Sequence, residues 1–402
     1  MEALILSYGL DTNGQNHRFT KSAETFGRDP EVLSALAIGI TDPAGVVSRF
    51  QIAADKLKTL EIRSVHRAEA YFAFPNDIHW DRKTEPMIRE MAERADVIHL
   101  NNSHAAYRRF RLKKPALLHH HGSLFRSDPK AMLDIATFYR MVQAVSTIDL
   151  QRPDPKVLHW LPTAYDVDEL LAFGQAHRRE PDGKVRIVSC PTNRGLKHTD
   201  LLISVVRELE QELPVELVLV ENKTWAEAMA IKSTADIVFD QLAYGYGCNA
   251  VEAWAMGIPV IAGADEWTIE RMTGLWRGLP FLRATPETLG KVIREAMRED
   301  VRKGWAERGM EHVRTYHDEK PALIRLAELY HDAIRAHTRI RIPGKGIRAV
   351  TFRTRGKTVY DLEGQPIVFP PSKVLKVNDP EIIHRLRTLA KRPAAFGIEE
   401  VA

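Results

Sequence analysis

Short apolar runs alternate with amphipathic stretches along most of the chain. Runs that end in polar or glycine residues read as buried strands, and the spacing between them fits helices. The pattern is that of α/β layers built around parallel sheets. "EALILSY" (2–8) reads as a first strand, followed by a polar loop and a helix near 17–27. "DVIHLNN" (96–102), "ALLHHHG" (116–122) and "MVQAVS" (141–146) are further strands, each ending where an open α/β sheet places its ligand crevice. "VLHWLPTAYDVDEL" (157–170) reads as a connection between two domains. After the turn at Asp182-Gly183 a second series follows: "KVRIVSC" (184–190), "VELVLVE" (215–221), "DIVFDQL" (236–242) and "IPVIAG" (258–263). Helices are expected near 199–211, 225–232 and 249–256, then at about 286–298 and 320–336.

Past Pro343-Gly344-Lys345-Gly346 the texture changes. "IRAVTFRT", "KTVYDLEG" and "QPIVFPP" read as three short strands with glycine turns, and "DPEIIHRLRTLA" as a helix opened by Asp379 with Pro380 at its first position. The chain of 402 residues is therefore read as 1–165, 166–319, a helix at 320–340 that packs back on the first domain, and a small α+β module at 341–402. Charge marks the same boundary. The net charge is +4, yet residues 339–402 carry 13 basic and 6 acidic residues, and 339–357 carry seven basic and none acidic. Such a patch fits a solvated surface, docking to a protein or contact with nucleic acid, although it lacks the interleaved aromatics of single-strand binding. Two cysteines, Cys190 and Cys248, exclude a disulfide framework and fit a reducing cytoplasm. No run approaches the roughly 18 apolar residues of a membrane span.

Two loops carry candidate chemistry. In "ADIVFDQLAYGYGCNAVEAWAMGIPVIAG", Gly245-x-Gly247-x-x-Ala250 follows a strand and precedes a helix, as a dinucleotide fingerprint requires. It sits late in its α/β series, however, and no clean acidic residue closes the next strand, which counts against NAD. Two readings remain: the glycines merely turn tightly with Glu252 solvated on its helix, or they bind phosphate of another kind, with backbone N–H groups approaching an anion, the helix start adding partial positive charge, and Glu252 one turn on accepting ribose hydroxyls. In "VSCPTNRGLKHTDLL", Asn193, Arg194 and Lys197 follow a strand end, where a diphosphate meets a forked guanidinium and a point charge.

These two stretches, with "ADVIHLNNS", "KPALLHHHG", "QAVS" and "LPTAYDVDEL", resemble the GT-B glycosyltransferases, specifically the retaining family 4 type, over about residues 90–335. The resemblance implies two facing Rossmann-like domains with a nucleotide-sugar donor site in the second and the acceptor site mostly in the first. It implies that Arg194 and Lys197 bind the donor diphosphate, that Glu252 holds the ribose, and that Tyr244, Gly245, Gly247, Cys248 and Asn249 lie beside the sugar and phosphates. His121 would stand near the transferred sugar, and Gly14 would face the diphosphate from the first domain. The family often has a glutamate eight residues before Glu252; this chain has Tyr244 there, and His198 follows the lysine in place of a frequent glycine.

The resemblance further implies a UDP- or GDP-linked sugar donor, transfer with retention, no metal and no cofactor beyond the donor. The tail's texture is reminiscent of tailed-phage modules, which suggests a phage-encoded enzyme acting on a virion protein or DNA. Asp166-Val-Asp168 lies in the connection and reads as structural. His119-His120-His121 cannot converge on a metal, because successive strand side chains point to opposite faces. Asp240-Gln241 and Glu266-Trp267 read as capping or packing. Two other readings stand beside this one: an NAD-dependent oxidoreductase, and a nucleotide- or glycan-binding assembly protein without turnover.

Overall fold

A computed structural model describes residues 26–42, 44–67 and 77–338, and from residue 350 onward 350–354, 359–362, 365–368, 374–377, 383, 386–387 and 398–401. The expected strand at 2–8, its helix and Gly14 lie outside the described residues, as do most of the helix at 379–390 and the basic run 339–349.

The first sheet is formed by β1 (Ser34–Gly39), β2 (Glu61–His66), β3 (Ile78–His79), β4 (Val97–Asn101), β5 (Ala116–His120), β6 (Val142–Val145) and β7 (Leu158–Trp160). Among the described residues it has seven strands in the order β3-β2-β1-β4-β5-β6-β7, all parallel. Helices α1 (Val46–Leu57), α2 (Glu85–Arg94), α3 (His104–Arg109), α4 (Gly122–Ser127) and α5 (Pro129–Tyr139) connect them. The chain leaves β1 toward β2 on one side and later returns to β4 on the other, so the topological switch lies at β1. Four of these strands depart from the sequence reading, the two-residue β3 among them. β1, "SALAIG", is a short apolar run that the sequence reading did not assign, and β2, "EIRSVH", carries only Ile62 and Val65 among polar residues. β7 occupies the segment read as a connection, because Leu158 and Leu161 are buried in the first domain's core.

The second sheet holds β8 (Val185–Ser189), β9 (Val215–Leu219), β10 (Ile237–Phe239), β11 (Tyr244–Gly245), β12 (Val260–Ala264) and β13 (Leu282–Arg283). Its order is β11-β12-β10-β8-β9, with β13 beside β12; only β11 runs antiparallel. Its helices are α6 (Val167–Ala176), α7 (Arg194–Lys197), α8 (Thr199–Leu209), α9 (Trp225–Lys232), α10 (Cys248–Ala255), α11 (Glu266–Trp276), α12 (Leu289–Ala296) and α13 (Glu299–His312). Here the switch lies at β8, between β9 and β10.

The long helix α14 (Glu319–Thr338) lies on the first sheet, where Ala322, Leu323, Leu326, Leu329, Tyr330 and Ala333 share a core with β1 and α1. A buried aromatic cluster forms the junction: Tyr246 Oη sits 2.8 Å from His312 Nε2 and 3.0 Å from His317 Nε2, and His317 Nδ1 lies 3.0 Å from the Thr163 carbonyl. Beyond it, Val350–Thr354 pairs antiparallel with both Val374–Val377 and Ile398–Val401, and Val359–Leu362 forms a hairpin with Gln365–Val368. Among the described residues no helix is long and apolar enough to cross a membrane.

Candidate functional site

The carboxyl ends of β8, β9 and β10 converge at the second sheet's switch. Cys190, Pro191 and Thr192 leave β8, and Val220, Glu221 and Asn222 leave β9. Together with the start of α10, and with Ala44 and Arg49 from the first domain, they enclose a cavity of about 680 Å³. Trp225, Val220 and Ala228 give it apolar lining; Lys197, Lys232 and Asn249 give it polar groups.

Local capping aims the side chains. Asn193 accepts the Leu196 N–H at 3.1 Å, which sets α7 and turns Lys197 inward. Lys197 Nζ then meets Asp240 Oδ1 at 2.7 Å, and Asp240 Oδ2 accepts the Gly247 N–H at 2.7 Å. One buried carboxylate thus ties the lysine loop to the glycine loop. The two glycines serve different ends. Gly245 has φ +83° and faces Met272, so the backbone itself demands glycine there. Gly247 is extended at φ −125°, and a Cβ on it would meet Asp240 Oδ2 only at 3.7 Å and Lys197 Nζ at 4.0 Å. What Gly247 provides is open space beside the lysine.

Glu252 is the hub of the cavity wall. Its Oε1 accepts from Arg49 Nη2 at 2.9 Å and from Trp225 Nε1 at 3.0 Å, and its Oε2 from Lys232 Nζ at 2.6 Å. Burial pushes the Glu252 carboxyl up, but the charges of Lys232 and Arg49 outweigh it and hold the group below its usual value. Burial likewise works against the charge on Lys232, and Glu252 keeps it raised. The Arg49 guanidinium lies 4.3 Å over the Tyr165 ring. Arg49, Lys197 and Lys232 therefore face two carboxylates, Asp240 and Glu252, leaving one positive charge in excess at the start of a helix. That is a setting for an anion.

Of the residues singled out in the sequence, Lys197, Cys248, Asn249 and Glu252 line this cavity, with Gly247 beside it. Burial pushes the Cys190 and Cys248 thiols up. Arg194 stands outside, half exposed, with a two-pronged bond to Glu221 at 2.8 and 2.5 Å and Asp200 at 3.6 Å. Tyr244 lies across the cleft under the Arg126 guanidinium, 4.0 Å from its ring. His121 sits on the first domain's side; its N–H donates to Asn102 Oδ1 at 2.8 Å, and burial pushes its imidazole down to about 3. The segment that faces the cavity from that domain is the loop after β1, through Ala44, whereas Gly14 falls outside the described residues.

Asp166 caps α6 by accepting the Glu169 N–H at 3.0 Å, and Asp168 pairs with Arg314 at 2.8 Å. His120 turns to Gln143 at 2.9 Å, while His119 bonds His99 at 3.2 Å on the other face of β5. Arg49, Trp225 and Lys232 were invisible as site residues in the sequence, and Asp240 read only as a capping or packing residue. The one local signal was an arginine within the apolar pattern "VVSRFQIAADKL".

No protein-family model matches the chain, and no curated protein does. Solved structures do. A glycosyltransferase from Rickettsia africae ESF-5 superposes with a TM-score of 0.52 at 12% identity, covering 76% of this chain and 99% of that one. Anabaena HepE in complex with UDP and glucose gives 0.51 at 13% identity, over 73% and 98%. An alpha-glucosyltransferase in complex with UDP-glucose and DNA containing an abasic site gives 0.52 at 9% identity, over 74% and 99%. Likeness at these identities establishes the fold: two Rossmann-like α/β domains in the GT-B arrangement.

Proposed function

We propose that the protein is a glycosyltransferase that moves a sugar from a nucleoside diphosphate sugar to an acceptor. The observation that carries this reading is the cavity between the two domains. Its apolar lining, with Val220, Trp225 and Ala228, suits a base, and its cations, with Lys197 beside the start of α10, suit a diphosphate. UDP is the favoured donor nucleotide, ahead of GDP, because HepE is in complex with UDP and glucose and the alpha-glucosyltransferase with UDP-glucose.

In the reaction the bond between the anomeric carbon and the leaving phosphate breaks, and the acceptor oxygen bonds to the same carbon. Charge builds on the leaving diphosphate, where Lys197, the α10 start and the excess positive charge of the wall stabilise it without a metal. Attack on the same face retains configuration, and the leaving phosphate takes the acceptor's proton. Closure of the first domain, through Ala44 and Arg49, excludes water. Retention, metal independence, the family 4 type, a phage source, a cytoplasmic location and an acceptor on a virion protein or DNA are parts of this proposal supported by the sequence resemblance and the charge of the tail.

A second reading, nucleotide binding without transfer, is favoured by one observation: Tyr244, where the family often has a glutamate, is packed under Arg126. Thermal shift with UDP, GDP, ADP, TDP and NAD, on the wild type and on Lys197→Ala with Arg194→Ala, tests the first reading. Stabilisation by one nucleoside diphosphate that the double variant loses supports it. Stabilisation by NAD alone, unaffected by the substitutions, overturns it. Release of UDP from UDP-glucose separates transfer from mere binding.

A further inference from the structure

Among the described residues β9 is an edge of the second sheet. The Val185 N–H donates to the Pro214 carbonyl and the Val220 N–H to the Ser189 carbonyl, so the even-numbered residues of this stretch turn their backbone groups toward β8. Successive residues of a strand point their N–H and C=O to opposite sides, so those of Val215, Leu217 and Leu219 face outward. The Val215 N–H turns back to the Leu213 carbonyl at 2.8 Å, which makes Leu217 and Leu219 the open stretch. Such an edge is ordinarily blunted by a lysine, a proline or a bulge. Val215–Leu219, "VELVL", has neither lysine nor proline, and it pairs with β8 residue for residue, without a bulge. Its one charge, Glu216, is drawn back to Arg186 on β8 at 2.6 Å. This edge is left open to pairing.

The side chains beside it say with what. Leu217 and Leu219 line, with Ile203, Arg207 and Glu210, a groove of about 320 Å³ between β9 and α8. The groove continues past Arg194 to Asp200 and Ser204. The three apolar residues are half-buried and the charged ones exposed. In chain order the charges alternate in sign: Arg194, Asp200, Arg207, Glu210. Reversed, that order sets Arg194 against Glu210 and Asp200 against Arg207. The strip is therefore complementary to itself turned end over end, which is the relation a two-fold axis imposes on two identical surfaces.

We propose that β9 pairs with β9 of a second copy of this chain, antiparallel about a two-fold axis near Leu217, so that the two second-domain sheets run on as one. Leu217 exchanges its backbone hydrogen bonds with its symmetry mate, and Val215 stands level with Leu219 of the second copy. The two α8 helices lie antiparallel, with the Asp200–Arg207 pair formed twice. Val220, Glu221 and Asn222, which follow β9, line the nucleotide cavity, so the interface lies beside it. The pairing stands on the edge and its charges, and does not depend on the transfer reaction.

Sedimentation velocity on the full chain, over a concentration series, tests it. The wild type is expected to reach a species of twice the chain mass, and amide exchange across Leu217 and Leu219 to slow as that species fills. Arg207→Glu places two acidic pairs across the axis, and Asp200→Arg two basic pairs. Each variant is expected to melt cooperatively yet to weaken its homodimer roughly tenfold or more, because like charges are then set against each other. An equimolar mixture of the two variants restores opposite charges at both positions and should associate as tightly as the wild type. A monomer at every concentration overturns the inference, whether its β9 amides exchange freely or are already protected by another part of the chain. A dimer that both variants leave intact, or whose β9 amides exchange as in the monomer, overturns it as well. So does a mixture of folded variants that fails to associate.

Discussion

Arg49 of the first domain and Glu252 of the second meet at 2.9 Å across the cleft, with side chains 1% and 8% exposed. Lys232, 3% exposed, holds the other carboxylate oxygen at 2.6 Å. Glu252 is thus the shared counter-ion of two buried cations from two domains, and three of its lone-pair sites are filled before any ribose approaches. Removing the anion strands both cations, whereas removing Arg49 leaves the Lys232–Glu252 pair. Glu252→Gln is expected to lower unfolding free energy by about 3–5 kcal/mol, the usual consequence of breaking a buried pair. Arg49→Met should cost less. Urea denaturation at pH 7.5 orders the two; the reverse order would remove Glu252 from the centre of this network.

Gly245 and Gly247 should separate under the same small change. Gly245→Ala forces a side chain to φ +83° against Met272, and about 1–3 kcal/mol of stability is expected to go with it. Gly247→Ala meets nothing closer than 3.7 Å and should leave the melting temperature near wild type while weakening nucleotide binding, because its methyl fills the space beside Lys197. Melting curves with and without UDP read both effects. Equal destabilisation by the two variants would refute the distinction.

Much of the second domain was legible because β8, β10 and β12 are largely apolar runs stopped by polar or glycine loops, a pattern that burial on both sheet faces imposes. The first domain was less so: "SALAIG" is a short apolar run cut off by glycine, and "EIRSVH" carries only Ile62 and Val65 among polar residues. The site divides in the same way. Lys197 and Glu252 stand in local motifs. Arg49 meets its partner 203 residues away, a pairing that only the packing of two domains creates. Lys232 closes α9 and reads as an ordinary cation at a helix end until its burial is seen.

The two basic residues of the sequence motif should differ in weight. Lys197 lines the cavity, and its loss would leave the fully buried Asp240 carboxylate without its cation. Arg194 points away, half exposed and clasped by Glu221. Isothermal titration with UDP is expected to show Lys197→Ala weaker by more than tenfold and Arg194→Ala by less. A larger loss at Arg194 would mean that the Glu221 clasp opens when the nucleotide binds.

Acid should weaken the protein above the range in which an ordinary exposed carboxylate titrates. Burial pushes His317 and His120 down to about 4, and His99 and His121 to about 3. Unfolded, each titrates near 6.5. Their folded values are depressed, so the stability they contribute is complete above pH 6.5 and is lost as pH falls toward 4, where the unfolded chain takes up protons that the folded chain refuses. Each contributes on the order of 1.4 kcal/mol per pH unit in that window. Asp77 opposes them: burial raises its carboxyl to about 6, so between roughly 6 and 4 the folded state binds its proton first and gains stability. Burial raises the Glu319 carboxyl as well, and the two groups offset only part of the four histidines. The paired Glu252, held below its usual value, gives up its contribution only at lower pH. Urea midpoints should therefore fall between pH 7 and 5, and His317→Gln should flatten that fall by one histidine's share while weakening the Tyr246 contact at the junction. A midpoint unchanged from pH 7 to 5 would contradict burial of these imidazoles as neutral groups.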